Sequence, residues 1–271
     1  MQYALVDDLR CEAFKGGHGT CAICGAATIA KCGPRIMHHW AHAHRRDCDP
    51  WRENETAWHR EWKNQFPEQC REVIHIAKDG EIHRADIKTP TGIVIEVQHS
   101  NMTDVERISR EQFYGNLVWV IDGRGFEKNF DILHLLPDPD SDLASDLVWF
   151  KGTRRMQGAA CGLFWRLSEN PQNTRKEFNG AWMHGILEIE DEVNHAYCGH
   201  HQYDWVWPRR TWLEAECPVY LDFGDDHLVR LEVYDESGLP CVRLISKRKF
   251  VHDAMTETSV KAIGTRFYPL T

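Results

Sequence analysis

Short hydrophobic segments between residues 52 and 122 constrain the fold of this chain more than any other feature of its sequence. Apolar residues recur at helical spacing in two segments and in strand-like runs in four others. In chain order these are a helix at 53–66, strands at 70–77, 81–89 and 92–98, a helix at 103–114 and a strand at 117–122. The predicted fold class is therefore α/β (α+β), in the order αβββαβ.

Local signals support individual elements of this order. Asp79-Gly80 and the segment 90–92 (Pro-Thr-Gly) predict tight turns between the first three strands. In the second helix Val105, Ile108 and Phe113 fall on roughly one side and predict its apolar face. The run LVWVID at 117–122 is apolar almost throughout, which is typical of a strand buried on both faces.

The chain divides into three predicted regions. Cysteine and histidine are concentrated in residues 1–50, the αβββαβ segment lies in 51–136, and 137–271 is a β-rich extension of unknown role. Two prolines followed by SDLAS at 141–145 mark the last boundary. The region that follows is rich in tryptophan. Its strand-like runs are CGLFWRL, GILEIE, PVYLDF, LVRLEVY and CVRLIS.

Acidic residues in the second and third strands predict a cation site. A three-residue turn at 90–92 places Asp86 opposite Glu96 on one face of the sheet, where opposed Cβ atoms lie about 5 Å apart. Gln98 returns to that face by the two-residue period of a strand. Two carboxylates can hold Mg²⁺ or Mn²⁺, which phosphodiester hydrolysis uses to activate water and to neutralise developing charge. Taken alone, Glu96 and Gln98 also fit an ordinary half-exposed strand.

Both helices add candidate catalytic residues at the i, i+4 spacing that shares one helical face. These pairs are Glu55 with His59, and Arg110 with Tyr114. Gln98 can hydrogen-bond a water molecule but carries no charge. A positively charged side chain that stabilises the developing phosphoryl charge could therefore come from a lysine elsewhere in the chain. Lys63 and Lys88 are the two candidates.

The first region contains a predicted zinc site, because a CxxC pair is followed by histidines and a further cysteine. The candidate ligands are Cys21, Cys24, His39, His42 and Cys48, and Cys32 and His38 are left open as alternatives. A region this short and polar is not expected to bury a core of its own, which gives zinc a structural role. Its basic residues, Lys31, Arg35, Arg45 and Arg46, fit either a DNA contact or a solvated face.

A second group of possible ligands lies at His195, Cys198, His200 and His201. Their irregular spacing favours surface histidines over a metal site. The ten cysteines of the chain are expected to be reduced thiols, because no export signal accompanies them and the chain is too long to depend on disulfides. Without a long apolar run, the chain is expected to be cytoplasmic and not bound to a membrane.

Several of these segments resemble the competence protein CoiA-like family, a branch of the PD-(D/E)XK nuclease superfamily with a restriction-endonuclease-like core. The matching segments are CAIC, HHWAH, RRDC, ETAWHREWK, RADI, IEVQHS and RISREQFYGNLVWVID. The resemblance covers roughly residues 15–125. It implies that Asp86 and Glu96 correspond to the metal-binding acids, that Gln98 replaces the usual lysine, and that Glu55 and His59 are the helix acid and its companion.

The resemblance implies a Mg²⁺- or Mn²⁺-dependent nuclease that cuts single- or double-stranded DNA, in competence or in antiviral defence against foreign DNA. A net charge of −9 argues against a protein that coats nucleic acid, but a hydrolase needs only a local basic lining. Two alternatives remain: a catalytically silent nucleic-acid-binding subunit with a nuclease fold, and an RNA-directed nuclease. A protein partner or a homo-oligomer is also left open.

Overall fold

A computed structural model describes residues 1–44, 48–51, 55–156 and 162–264 of the chain. Two compact units are present. Among the described residues, the first consists of Met1–Trp119 with Ala254–Val260, and the second consists of Val120–Asp253 with Lys261–Gly264. The division falls inside the strand Leu117–Asp122. No helix among the described residues has the length and apolar character needed to cross a membrane.

The first unit contains nine strands and two helices within its described residues. The strands are β1 (Tyr3–Val6), β2 (Leu9–Glu12), β3 (His18–Thr20), β4 (Ala27–Gly33), β5 (Ile36–His42), β6 (Arg71–Ile76), β7 (Ile82–Lys88), β8 (Val94–Gln98) and β9 (Leu117–Asp122). The helices are α1 (Ala57–Asn64) and α2 (Asp104–Tyr114).

The Cys/His-rich region forms an antiparallel sheet in the order β2-β1-β3-β4-β5. Trp40, on the edge strand β5, is fully buried against Met1, Ala4, Ala13 and Cys21. The expectation that this region buries no core was therefore wrong. A single large indole supplies enough apolar area to gather the small residues around it.

The predicted order αβββαβ is confirmed by α1, β6, β7, β8, α2 and β9. Thr56 and Thr103 cap the two helices, because each side-chain oxygen accepts a backbone N–H three residues ahead. The four strands lie in the order β9-β8-β7-β6. Residues 117–121 of β9 are almost fully buried, as predicted for a strand covered on both faces.

The predicted apolar face of α2 was wrong. Val105 is 80% exposed and Ile108 is 42% exposed, whereas Arg107, Arg110 and Glu111 are buried. Arg107 Nη1 lies 2.7 Å from Glu111 Oε2, and Trp119 Nε1 donates to Glu111 at 3.0 Å. Charged side chains can be buried here because each one has a partner of opposite charge.

The second unit contains eight strands, with the helices α3 to α6, within its described residues. Its strands are β10 (Phe130–Pro137), β11 (Leu147–Trp149), β12 (Leu163–Arg166), β13 (His184–Gly185), β14 (Tyr197–Trp205), β15 (Val219–Asp222), β16 (His227–Val233) and β17 (Pro240–Ser246). The helices are α3 (Asp142–Asp146), α4 (Glu190–His195), α5 (Arg210–Leu213) and α6 (Lys247–Thr256), whose last residues belong to the first unit.

The second unit is mostly β-structure, with strand order β10-β14-β17-β16-β15 and a separate sheet β11-β12-β13. Three details differ from the sequence predictions. The expected boundary SDLAS is the short helix α3, capped by Ser141. Half of GILEIE, Ile186–Glu188, is a 3₁₀ turn and not a strand. The histidine-rich segment forms β14, where His200 is 1% exposed, because that strand pairs with a neighbour on each side.

Candidate active site and candidate metal centre

The strands β7 and β8 bring the two predicted acids together. Ile87 pairs with Ile95 and Lys88 with Val94, and this register continues to place Asp86 opposite Glu96. The backbone N–H of Asp86 donates to Glu96 Oε1 at 3.2 Å. The two acids therefore have the relative positions that the sequence predicted.

A cavity of about 50 Å³ lies beside these carboxylates. Six of the seven predicted catalytic residues line it: Asp86, Glu96, Gln98, Glu55, His59 and Arg110. Tyr114 does not line it, and its role in the site stays a prediction. One turn along α2 from Arg110, its ring packs against Phe113, with centroids 4.9 Å apart, and burial together with the Glu96 and Asp86 carboxylates raises the pKa of its hydroxyl.

The two acids differ in their surroundings. The Glu96 side chain is 6% exposed, and burial together with the neighbouring Asp86 carboxylate raises its pKa. The Asp86 side chain is 25% exposed. Burial would raise the pKa of Asp86, but His59 and Lys63 lower it below its ordinary value. Asp86 is thus the more accessible member of the pair and the one whose pKa is lowered.

Helix α1 presents His59 and Lys63 to Asp86. His59 Nε2 lies 3.4 Å from Asp86 Oδ2. Lys63 Nζ lies 2.5 Å from Glu55 Oε1 and 2.9 Å from Glu72 Oε1. Burial would lower the pKa of Lys63, but Glu72, Asp86 and Glu55 raise it, so the ammonium group stays charged.

The structure distinguishes the two lysines that could supply the positive charge that Gln98 lacks. Lys63 lines the cavity. Lys88 does not, and its Nζ lies 3.0 Å from His75 Nδ1. Gln98 is 2% exposed, and its amide nitrogen donates to the carbonyl and hydroxyl oxygens of Ser100 at 3.2 Å.

Arg110 reaches the site from α2. Its Nη1 donates to Glu96 Oε2 at 3.0 Å. Its Nη2 donates to Glu106 Oε1 at 2.5 Å and to the carbonyl oxygen of Trp51 at 2.7 Å. The guanidinium group therefore orients Glu96 and is itself held at two further points.

Glu72 and Asp49 also line the cavity, and sequence reasoning missed both. Glu72 accepts the backbone N–H of Gln2 at 2.9 Å and has an unusual positive φ of 44°. Asp49 Oδ1 lies 2.9 Å from His83 Nδ1. Their partners are distant in sequence, so no local signal marks either acid.

Four of the predicted zinc ligands lie together: Cys21, Cys24, His42 and Cys48, with ligand atoms all within 4.8 Å of one another. Cys21 Sγ is 3.8 Å from Cys48 Sγ, and His42 Nε2 is 3.4 Å from Cys24 Sγ. Tetrahedral zinc with bonds of roughly 2.3 Å separates its sulfur ligands by about 3.8 Å. The spacing and the donor types therefore fit zinc.

His39 lies outside this cluster, and so do the alternatives Cys32 and His38. His39 and His42 are three residues apart on β5, and a strand places such residues on opposite faces. His39 Nδ1 instead lies 2.9 Å from the carbonyl oxygen of Met37. Of the basic residues in this region, Lys31 and Arg35 are exposed, and Arg45 and Arg46 lie outside the described residues.

The second Cys/His group was expected at the surface, and this was wrong for two of its members. His200 and His201 are buried in β14, while His195 is exposed. Cys198 Sγ lies 3.2 Å from His200 Nδ1, and Arg243 Nη2 lies 2.8 Å from His200 Nε2. Burial and nearby Asp138 raise the pKa of the Cys198 thiol to about 12.

Comparisons with known proteins found no match for this chain: no family model, no curated protein and no solved structure is similar to it at a significant level.

Proposed function

We propose that this protein is a metal-dependent nuclease of the CoiA-like branch of the PD-(D/E)XK superfamily, and that it hydrolyses DNA phosphodiester bonds. The observation that carries the proposal is the placement of Asp86 and Glu96 on paired strands beside one cavity. The αβββαβ order of the surrounding elements agrees with that superfamily.

The chemistry follows from the side chains around this cavity. Mg²⁺ or Mn²⁺ bound by Asp86 and Glu96 would supply the positive charge that stabilises the phosphoryl transition state. Lys63 adds a fixed ammonium group, in the absence of a lysine at position 98. His59 lies close enough to Asp86 to orient that carboxylate by a hydrogen bond.

The test is cleavage of labelled single- and double-stranded DNA and RNA by the purified chain, with Mg²⁺, Mn²⁺ or EDTA. We expect cleavage of DNA with either metal and none with EDTA. Cutting of RNA in preference to DNA would support an RNA-directed nuclease instead.

Alanine at the acids tests the site itself. Asp86→Ala and Glu96→Ala should each abolish cleavage while the fold stays intact, because each removes a charged metal ligand. Glu61→Gln is a matched control, since Glu61 is an exposed acid on α1. Cleavage by Asp86→Ala at the rate of the wild-type chain would show that the active-site assignment is wrong.

One observation favours the silent nucleic-acid-binding subunit as a second candidate. Glu96 already contacts Arg110 and the backbone of Asp86, so a cation must compete with Arg110 for this carboxylate. Salt-dependent DNA binding without cleavage under any metal would favour this candidate.

A further inference from the structure

The candidate zinc cluster is joined directly to the wall of the catalytic cavity. Cys48 is one of its four potential ligands, and Asp49 and Trp51 line the cavity. The described segment that carries them, residues 48–51, contains no helix or strand. Its position therefore depends on what holds its ends and its side chains.

Asp49 attaches this segment to β7. Its Oδ1 lies 2.9 Å from His83 Nδ1, and its Oδ2 accepts the backbone N–H of Arg84 at 3.1 Å. It also accepts the N–H of Trp51 at 3.1 Å, which sets the direction of the next two residues. Asp49 is 4% exposed, so these bonds lie away from solvent.

Trp51 attaches the segment to the catalytic acid. Its ring stacks on His83 with centroids 3.3 Å apart and an interplanar angle of 11°. Its carbonyl oxygen accepts a hydrogen bond from Arg110 Nη2 at 2.7 Å. Arg110 Nη1 in turn donates to Glu96 Oε2 at 3.0 Å. A continuous path of bonds thus runs from Cys48 to Glu96.

We propose that zinc bound by Cys21, Cys24, His42 and Cys48 positions the catalytic acid Glu96, through the segment 48–51 and Arg110. Asp49 and Trp51 are then positioning residues. The catalytic part of this inference rests on the proposed nuclease function, whereas the physical coupling between the two sites does not.

The coupling has a direct readout in the backbone. The N–H of Asp86 donates to the Glu96 carboxylate, so its hydrogen exchange reports where that carboxylate lies. When zinc is removed, the segment 48–51 loses one anchor and Arg110 loses a fixed acceptor. Glu96 can then leave its position, and the Asp86 amide becomes exposed to exchange.

The first experiment measures amide exchange in the full chain, with zinc and after treatment with a chelator selective for zinc over magnesium. We expect exchange at Asp86 to rise by about tenfold or more on zinc removal, while Ile87 in the same strand changes little. Cys48→Ser should behave like the zinc-free protein. Cys32→Ser is the matched control, because Cys32 lies in the same region outside the cluster.

The second experiment keeps the zinc ligands and removes the ring stacking on His83 that holds the Trp51 carbonyl in place. Trp51→Ala should retain zinc, accelerate exchange at Asp86 and lower kcat by about tenfold to a hundredfold with little change in KM. Trp51→Phe, which can still stack on His83, should recover most of the loss. Trp182→Ala is the control, since Trp182 is 73% exposed in the second unit.

The two proposals can fail separately. Unchanged exchange at Asp86 in zinc-free protein and in Trp51→Ala would overturn the coupling, whether or not the protein cuts DNA. A wild-type chain that cuts nothing would overturn the nuclease proposal, and the exchange measurement would still decide the coupling.

Discussion

The Glu72 carboxylate joins parts of the first unit that are far apart in sequence. It accepts the backbone N–H of Gln2, contacts Lys63 at 2.9 Å and lies 3.8 Å from Arg84 Nε. Burial would raise the pKa of Glu72, but Arg84 and Lys63 hold it well below its ordinary value of 4.5. Ionised Glu72 therefore stabilises the folded state.

We expect Glu72→Gln to lower the free energy of unfolding at pH 7 by about 3–5 kcal/mol, because it leaves Lys63 buried with one carboxylate fewer. Since the folded pKa is depressed, the contribution of Glu72 is complete above pH 4.5 and is lost as the pH falls below that value. Denaturant unfolding at pH 7 and at pH 3 checks this. An equal loss at both pH values would contradict it.

Position 98 tests how the cation is supplied. Under the proposed function a lysine would be the usual residue there, but Lys63 already lines this cavity of about 50 Å³. Gln98→Lys would bury a second ammonium group beside it, so we expect lower cleavage and lower stability. Gln98→Met, similar in size and uncharged, separates the effect of charge from that of volume. Faster cleavage by Gln98→Lys would show that Lys63 does not already supply the positive charge that a lysine at position 98 would provide.

The sequence could predict Asp86 and Glu96 because their relation is local. A short turn fixes the register of a hairpin, and register fixes which side chains share a face. Glu72 and Asp49 could not be found in this way. Gln2 and Glu72 are 70 residues apart, and Asp49 and His83 are 34 apart, so only the folded chain brings them together.

At the scale of elements, periodicity predicted where α2 lies but not which face is buried. Its apolar residues are partly exposed, and its inner face is a set of ion pairs around Arg107, Arg110 and Glu111. Hydrophobic periodicity assumes that the buried side is the apolar side. That assumption fails where a helix delivers charge to a site.

Strand β5 shows the same limit for the zinc ligands. The spacing of His39 and His42 matches a helix or a loop, in which both could reach one ion. On a strand only one of them can, and the structure selects His42.

The zinc cluster carries a prediction of its own. Protein purified without added metal should contain about one zinc per chain by elemental analysis. Cys24→Ser should lower zinc content and thermal stability, because metal binding contributes folding free energy to this small sheet. Cys11→Ser is a suitable control, since Cys11 lies in β2 outside the cluster. Metal-free protein that keeps its full stability would contradict the assignment.

At the scale of the whole molecule, the net charge of −9 opposes binding of a polyanion. We therefore expect affinity for a DNA oligonucleotide to depend on a divalent cation at Asp86 and Glu96, beyond its effect on ionic strength. Fluorescence anisotropy with Ca²⁺, compared with EDTA at equal ionic strength, measures this. Asp86→Ala should remove the difference, and equal affinity in both buffers would contradict the prediction.

The second unit was the least predictable part of the molecule. Its β-rich character follows from alternating apolar residues and turns. Strand β14 was not predicted, because buried histidines and a glutamine interrupt its apolar pattern. Their burial depends on partners such as Arg243 on β17 and Glu232 on β16, which no local pattern reveals.

The four candidate zinc ligands are synthesised before the strands of the candidate active site. All four candidate ligands precede α1, and a ribosome releases the N-terminal part of a protein first. The cluster can therefore capture its ion while the strand that carries Glu96 is still unmade. The hairpin of β7 and β8 would then assemble next to a segment that the metal already holds, so we expect zinc depletion during translation to lower the yield of folded chains.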